Sequence, residues 1–175
     1  MHSIHGDLIQ MAKAGDFNVI VHGANCRGVM GAGIALQIAE HFPLAQQADK
    51  YDYENFFPDE RTGTYSVANC SWVDSTQPLF QQIRELYVVN AYTQHYPGAN
   101  AKYEHIRDCF RAIKNDFGNK DYKFGIPQIG CGIGGLQWEQ VEKIIDEEMY
   151  DEDITVVFYT LNSAYRHIKN ILNEE

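Results

Sequence analysis

The stretch Val19-Ile-Val-His-Gly-Ala-Asn-Cys-Arg-Gly-Val-Met-Gly-Ala-Gly-Ile-Ala-Leu36 decides how the chain is read. Phe17 to Val21 is a short, nearly all-apolar and β-branched run, the pattern of a strand covered on both faces. Gly23, Gly28, Gly31 and Gly33 follow within eleven residues, and without a Cβ the backbone there can take positive φ and approach a ligand closely. From Ala32 onward, Ala35, Ile38 and Phe42 recur at helical spacing and define one apolar face. A strand, a glycine loop and a helix N-terminus in succession form an anion site. The N–H groups of a first helical turn lack intrahelical acceptors, and the dipole is positive at that end. The glycine spacing is neither GxGxxG nor GxxxxGK[ST], which argues against a dinucleotide or P-loop motif. Alone, such a loop is as readily structural punctuation.

A second cluster shifts that balance. Phe124-Gly-Ile-Pro-Gln-Ile-Gly-Cys-Gly-Ile-Gly-Gly-Leu-Gln-Trp-Glu139 repeats the plan of short strand, glycine loop and helix, the helix starting at Trp138. Two loops of this kind suggest one clamp for a diphosphate.

Outside the loops, the remaining segments alternate between strand and helix. His2 to His5 reads as an edge strand, followed by a brief helix to about Ala14 that Asp7 can cap. Leu44 to Phe56 reads as a helix, Pro58 to Gly63 as a turn, and Thr64 to Cys70 and Leu86 to Tyr92 as strands joined by a hairpin or loop. A polar loop from Thr93 to Asn100 precedes a helix faced by Tyr103, Ile106, Phe110 and Ile113. Lys123 to Pro127 is a strand, the helix from Trp138 carries Val141, Ile145 and Met149, and Ile154 to Tyr159 is the last strand. A terminal helix with Tyr165, Ile168 and Leu172 on one stripe is expected after a cap at Asn162 or Ser163. This alternation, without repeats or low-complexity tracts, predicts a layered α/β fold.

Composition narrows the function. A chain of 175 residues, 45% hydrophobic, is long enough for one well-buried domain, and a single domain over 1–175 is expected. With 14 basic against 24 acidic residues and a formal charge of −10, a broad nucleic-acid surface is not expected, whereas a small anion held by backbone N–H groups remains compatible. No run approaches the roughly 20 apolar residues of a membrane span, so no membrane partner and a cytoplasmic location are expected. Cys26, Cys70, Cys109 and Cys131 are far apart, with no metal-ligand spacing, which predicts reduced thiols and no metal or other cofactor.

The residues Gly6-Asp7-Leu8, Asn25 through Ala35, Ile126 through Gly135 with Leu136-Gln-Trp138, and Phe158-Tyr-Thr-Leu161 together resemble the macrodomains, over nearly the whole chain. The resemblance implies a three-layer α/β/α fold with a mixed central sheet of about six strands. It also implies a cleft for ADP-ribose over the strand ends. Asp7 would then contact adenine beside Leu8, with Tyr159 or its neighbours covering the ring. Gly31, Ala32, Gly33 and Ile34 would face Ile129, Gly130, Cys131, Gly132, Ile133 and Gly134 across the diphosphate. Asn25 would meet the distal ribose. Asp7 can equally be only a cap, and Asn25 only a loop residue bonding its own backbone.

The pattern is similar to the branch that holds ADP-ribose-1''-phosphate phosphatases and glycohydrolases freeing ADP-ribose from protein or DNA. The glycohydrolases use a lysine after the central strand, and some add an aspartate in the second loop. Those positions here are Gln94 and Gly134, and neither an amide nor a hydrogen atom can act as nucleophile or base. A phosphatase of ADP-ribose-1''-phosphate is therefore favoured, with Asn25 and His22 as catalytic residues and His95 as the second candidate base. A buried structural role is the alternative for His22, and a solvated loop position for His95. Cys26 and Cys131 are read as small fillers, or as thiols activated by a helix N-terminus. The rival functional class is a non-catalytic reader of ADP-ribose or of ADP-ribosylated macromolecules.

Overall fold

A computed structural model describes residues 1–159. The expected terminal helix, with Tyr165, Ile168 and Leu172, lies outside the described residues.

Eight strands and six helices alternate along these residues. They are β1 (His2–Gly6), α1 (Leu8–Ala14), β2 (Val19–Asn25), α2 (Gly33–His41), α3 (Pro43–Asn55), α4 (Pro58–Arg61), β3 (Tyr65–Asn69), β4 (Trp72–Val73), β5 (Ile83–Arg84), β6 (Tyr87–Gln94), α5 (Tyr103–Phe117), β7 (Lys123–Ile126), α6 (Trp138–Glu148) and β8 (Asp153–Tyr159). Six strands form one sheet in the order β1-β8-β7-β2-β6-β3. Every pairing is parallel except β3 on β6, which makes the sheet mixed.

Period-two alternation assigns each strand residue to a layer. Val19 and Val21 of β2 face Phe110 and Ile113 of α5 and Val141 and Ile145 of α6. Ile20 turns the other way, into a second core with Leu8 and Ile9 of α1, Ile38 of α2 and Ala45 of α3. Helices thus cover both faces, the three-layer α/β/α arrangement expected from the sequence. Five strands run parallel, so their carboxyl ends share one edge of the sheet, where ligands of open α/β sheets bind.

Three local differences from the expectations have identifiable causes. The turn at Pro58 closes into the one-turn helix α4, where the N–H of Phe57 donates to Glu60 Oε2 at 2.9 Å. The segment after Cys70 takes the hairpin option, with β4 antiparallel to β5. The strand expected to end at Tyr92 continues through Gln94, with a register shift where Ala24 pairs with Tyr92 but Asn25 pairs with Gln94. That bulge leaves Thr93 without a partner on β2.

Candidate functional site

Both glycine loops leave the carboxyl ends of adjacent central strands, β2 and β7, and face each other across a cleft of about 500 Å³. On one side lie Gly31, Ala32, Gly33, Ile34 and Ala35, and the first helical hydrogen bond of α2 runs only from Leu36 N to Ala32 O. The N–H groups of these five residues therefore have no backbone acceptor among the described residues. Gly33 sits at φ +56°, a left-handed conformation that lets the chain turn into the helix without a Cβ penalty.

Across the cleft are Gly130, Gly132, Ile133 and Gly134, whose N–H groups donate to no backbone carbonyl among the described residues. At Gly134 a Cβ would fall 2.6 Å from the carbonyl oxygen of Gly130 and 2.9 Å from Ala101 Cβ. No side chain fits there while the loop keeps this shape, so the aspartate of the glycohydrolases has no place in it.

The other expected site residues divide into three groups. Asn25 lines the cleft, but its amide is committed to the loop: Oδ1 accepts from Arg27 N at 2.9 Å and Val29 N at 3.4 Å, and Nδ2 donates to Val29 O at 2.7 Å. Asn25 thus shapes the first loop, the second of its two sequence readings. Asp7 and Tyr159 stand farther along the same edge, at the ends of β1 and β8, where Gly6 pairs with Tyr159. Asp7 Oδ1 accepts the N–H of Gln10 at 3.0 Å as the cap of α1. The side chains of Leu8, Ile129 and Cys131 turn away from the cleft. Leu8 and Ile129 belong to the two cores, and Cys131 packs against one of them.

His22 is a correction to the expectation of a general base. It faces α3 rather than the cleft and is only 1% exposed. Its Nε2 donates to Asn90 Oδ1 at 2.7 Å, an oxygen identified because Asn90 Nδ2 donates to Ala45 O and Ser66 Oγ. Its Nδ1 is 3.1 Å from Gly23 O. Burial lowers the His22 pKa from the ordinary imidazole value. The unfolded chain therefore takes up the proton more readily than the folded one. Stability from this residue is complete above about pH 6.5 and is lost as pH falls through that value toward the lower folded pKa. Denaturant midpoints should fall between pH 7.5 and 5.5, and less so in His22→Gln. Equal falls in both proteins would contradict this assignment.

His95 does not line the cleft either. Its Nε2 accepts from Arg27 Nη2 at 3.1 Å, its Nδ1 lies 3.3 Å from Asp59 Oδ1, and its ring packs on Tyr96 at 4.5 Å between centroids. Burial raises the thiol pKa of Cys26, and that of Cys131 to about 11, the opposite of activation by a helix N-terminus.

Several cleft residues were not among those expected to bind: Gly23 and Ala24 from the end of β2, Val29 from the first loop, Thr93, Pro97 and Gly98 from the end of β6 and its loop, and Pro127 and Gln128 ahead of the second loop. Gln94 also lines it, with Nε2 donating to Tyr96 O at 2.8 Å and Gly98 O at 3.0 Å, so the amide in the lysine position staples a loop. No described residue lining the cleft carries an ionisable side chain. Among the described residues no group of three or more His, Cys, Asp or Glu side chains can hold a metal, and no helix is long and apolar enough to cross a membrane.

An α/β/α domain with a cleft of unpaired backbone donors at its parallel strand ends is the class of molecule this geometry defines. The Macro domain family matches residues 21–145, and the chain belongs to that family. It is 34% identical over 163 residues to the ADP-ribose glycohydrolase OARD1 of Bos taurus, covering 90% of each chain. It is 23% identical over 166 residues to the ADP-ribose 1''-phosphate phosphatase of Saccharomyces cerevisiae, covering 79% of this chain and 88% of that one. The macrodomain of Mycobacterium tuberculosis DarG shares the fold, with a TM-score of 0.69 at 24% identity over 89% of this chain and 95% of that one.

Proposed function

We propose that the protein binds ADP-ribose in this cleft and hydrolyses ADP-ribose-1''-phosphate to ADP-ribose and phosphate. The observation that carries the reading is the pair of facing loops whose N–H groups have no backbone acceptor, and between which no ionisable side chain lies, among the described residues. Such donors satisfy a diphosphate without a cation, which suits a chain of net charge −10. Adenine lies toward Asp7 and Tyr159, and the distal ribose lies over the ends of β2 and β6.

Among the hydrolyses that related proteins perform, phosphate ester cleavage asks least of side chains. Its transition state is loose, and its charge spreads over oxygens that fixed donors can hold. Water adds to phosphorus and the bond from phosphorus to the anomeric oxygen breaks. One water proton passes through a phosphate oxygen to the departing anomeric oxygen, which leaves as the ribose hydroxyl, while the other stays on the hydrogen phosphate formed. Because the anomeric oxygen is more acidic than an ordinary alcohol, it leaves readily. Cleavage of a glycosidic adduct through a lysine has no counterpart at Gln94.

A reader of ADP-ribose, free or attached to a macromolecule, is the second reading, favoured by the same absence of an ionisable group from the described lining. Calorimetric titration with ADP-ribose, run beside phosphate release from ADP-ribose-1''-phosphate, tests both. Binding with release supports the phosphatase, binding without release above background supports the reader, and no binding removes both.

A further inference from the structure

Two of the loops that line the cleft are locked internally, and a single pair of side chains joins them. Asn25 holds the first glycine loop through Arg27 N and Val29 O. The loop after β6, which brings Pro97 and Gly98 to the cleft, is held by Gln94 and by Asn100 Oδ1, which accepts from His95 N at 3.1 Å and Tyr96 N at 3.0 Å. The last backbone bond between these loops among the described residues runs from Cys26 N to Gln94 O at 3.0 Å. Beyond it, Arg27 Nη2 reaches across to donate to His95 Nε2 at 3.1 Å, and the guanidinium stacks 4.3 Å from the centroid of Tyr96. Arg27 Nε is buried and makes no hydrogen bond among the described residues, so the grip of this side chain on the second loop rests on His95 and Tyr96.

That bond fixes the state of the imidazole. Arginine only donates, so His95 Nε2 must accept, and the ring proton sits on Nδ1, 3.3 Å from Asp59 Oδ1. A second proton can enter only at Nε2, where it turns the acceptor into a donor and sets imidazolium against guanidinium. Imidazole is the side chain that ordinarily changes charge between about pH 5 and 8. Lys102, Glu104, His105 and Asp108, at the start of α5, share an open surface hollow with the ring, but the charges in contact with it are Arg27 and Asp59. Protonation therefore breaks one contact and strengthens the other. The Asp59 side chain is exposed and free to follow the ring.

Resting on the ADP-ribose reading, we propose that Arg27 and His95 form a pH-sensitive clasp across the two loops. Neutral His95 holds the loop after β6 against the first glycine loop and keeps the cleft walls at the spacing the ligand needs. Protonated His95 releases Arg27 and turns to Asp59, and the ligand must then order the loop itself, which lowers affinity. Proton and ligand thus oppose each other through the clasp, by linkage.

ADP-ribose is the probe, because its diphosphate keeps its charge over this range, whereas a terminal phosphate monoester titrates near about pH 6. By calorimetry, wild type should bind ADP-ribose about 10-fold more weakly at pH 5.5 than at pH 7.5, the low end for a lost hydrogen bond from a charged donor. His95→Gln, whose amide oxygen offers Arg27 an acceptor that does not titrate, should bind as wild type does at pH 7.5 and keep that affinity at pH 5.5. Arg27→Ala should bind at both pH values about as weakly as wild type at pH 5.5. All three proteins carry His22, so its own response to pH cancels in the comparison. Nitrogen NMR of the His95 ring reads the clasp without ligand and should find the proton on Nδ1 at pH 7.5. A wild-type affinity that does not change with pH, or a pH dependence in His95→Gln equal to that of wild type, would overturn the clasp while leaving the ADP-ribose reading intact. A ring proton on Nε2 in the free protein at pH 7.5 would overturn it whether or not ADP-ribose binds. If wild type binds no ADP-ribose at either pH, the broader reading fails first and the clasp's role falls with it.

Discussion

Gly132→Glu is expected to lose ADP-ribose binding, by more than about 100-fold in affinity, while its melting temperature stays near that of wild type. The two halves have separate physical grounds. A Cβ at Gly132 meets nothing within 4 Å, and its φ is not in the left-handed region, so a side chain can be added without strain. That open space is the cleft itself, which Gly132 lines. A carboxylate placed there reaches the N–H groups meant for the diphosphate. It also repels the incoming anion by about 4 kcal/mol per charge pair at contact, with an effective dielectric constant of about 20. Titration calorimetry and thermal melting of the same preparation read both halves. Unchanged affinity would remove the second loop from the binding site, and a collapse in melting temperature would mean that Gly132 is held by contacts absent from this structure.

The fold was legible because its signals are local and repeated. Strands such as Val19–Val21 and helices such as Tyr103–Phe117 carry apolar patterns several residues long, and the glycine clusters mark where strand passes to helix. The short helix α4 carries no such signal. Four residues, Pro-Asp-Glu-Arg, read as a turn, and what distinguishes the helix is the burial of Arg61 against residues far away in sequence.

The site was legible as loops, less so as individual side chains. Glycine spacing placed the backbone donors, because backbone geometry follows from glycine itself. His22 could not be assigned in the same way, since its partner Asn90 is 68 residues distant and only pairing of β2 with β6 brings them together. Alternation along the strand does place His22 on the face of Ile20, toward the core of α1 to α3, and that signal pointed away from the cleft. Thr93 was invisible for the opposite reason. Its orientation depends on a one-residue bulge that the apolar pattern does not encode.

Asp49→Ala is expected to cost about 3–5 kcal/mol, the loss seen when one partner of a buried ion pair is removed. Asp49 is 2% exposed and Arg61 1% exposed, and Arg61 Nη2 donates to Asp49 Oδ1 at 2.5 Å. The same guanidinium donates through Nη1 to Cys26 O at 2.9 Å and lies 4.0 Å from the centroid of Tyr92. Without the Asp49 carboxylate the cation stays buried against neutral partners, the backbone carbonyls of Cys26 and residue 49 and the Tyr92 ring, and water cannot reach it without opening the contact between α3 and the first glycine loop. A fall in melting temperature of roughly 6–20 °C follows from that energy for a chain of this length. Replacing both partners by apolar residues, Asp49→Leu with Arg61→Met, should recover part of the loss, because no charge then remains to be solvated. The double variant should still bind ADP-ribose more weakly than wild type, since the carbonyl of Cys26 loses the donor that anchors the loop beginning at Asn25. A single variant melting within about 2 °C of wild type, under one kcal/mol for a chain of this size, would mean that Arg61 reaches solvent, and the anchoring of the loop would then have to come from Asn25 alone.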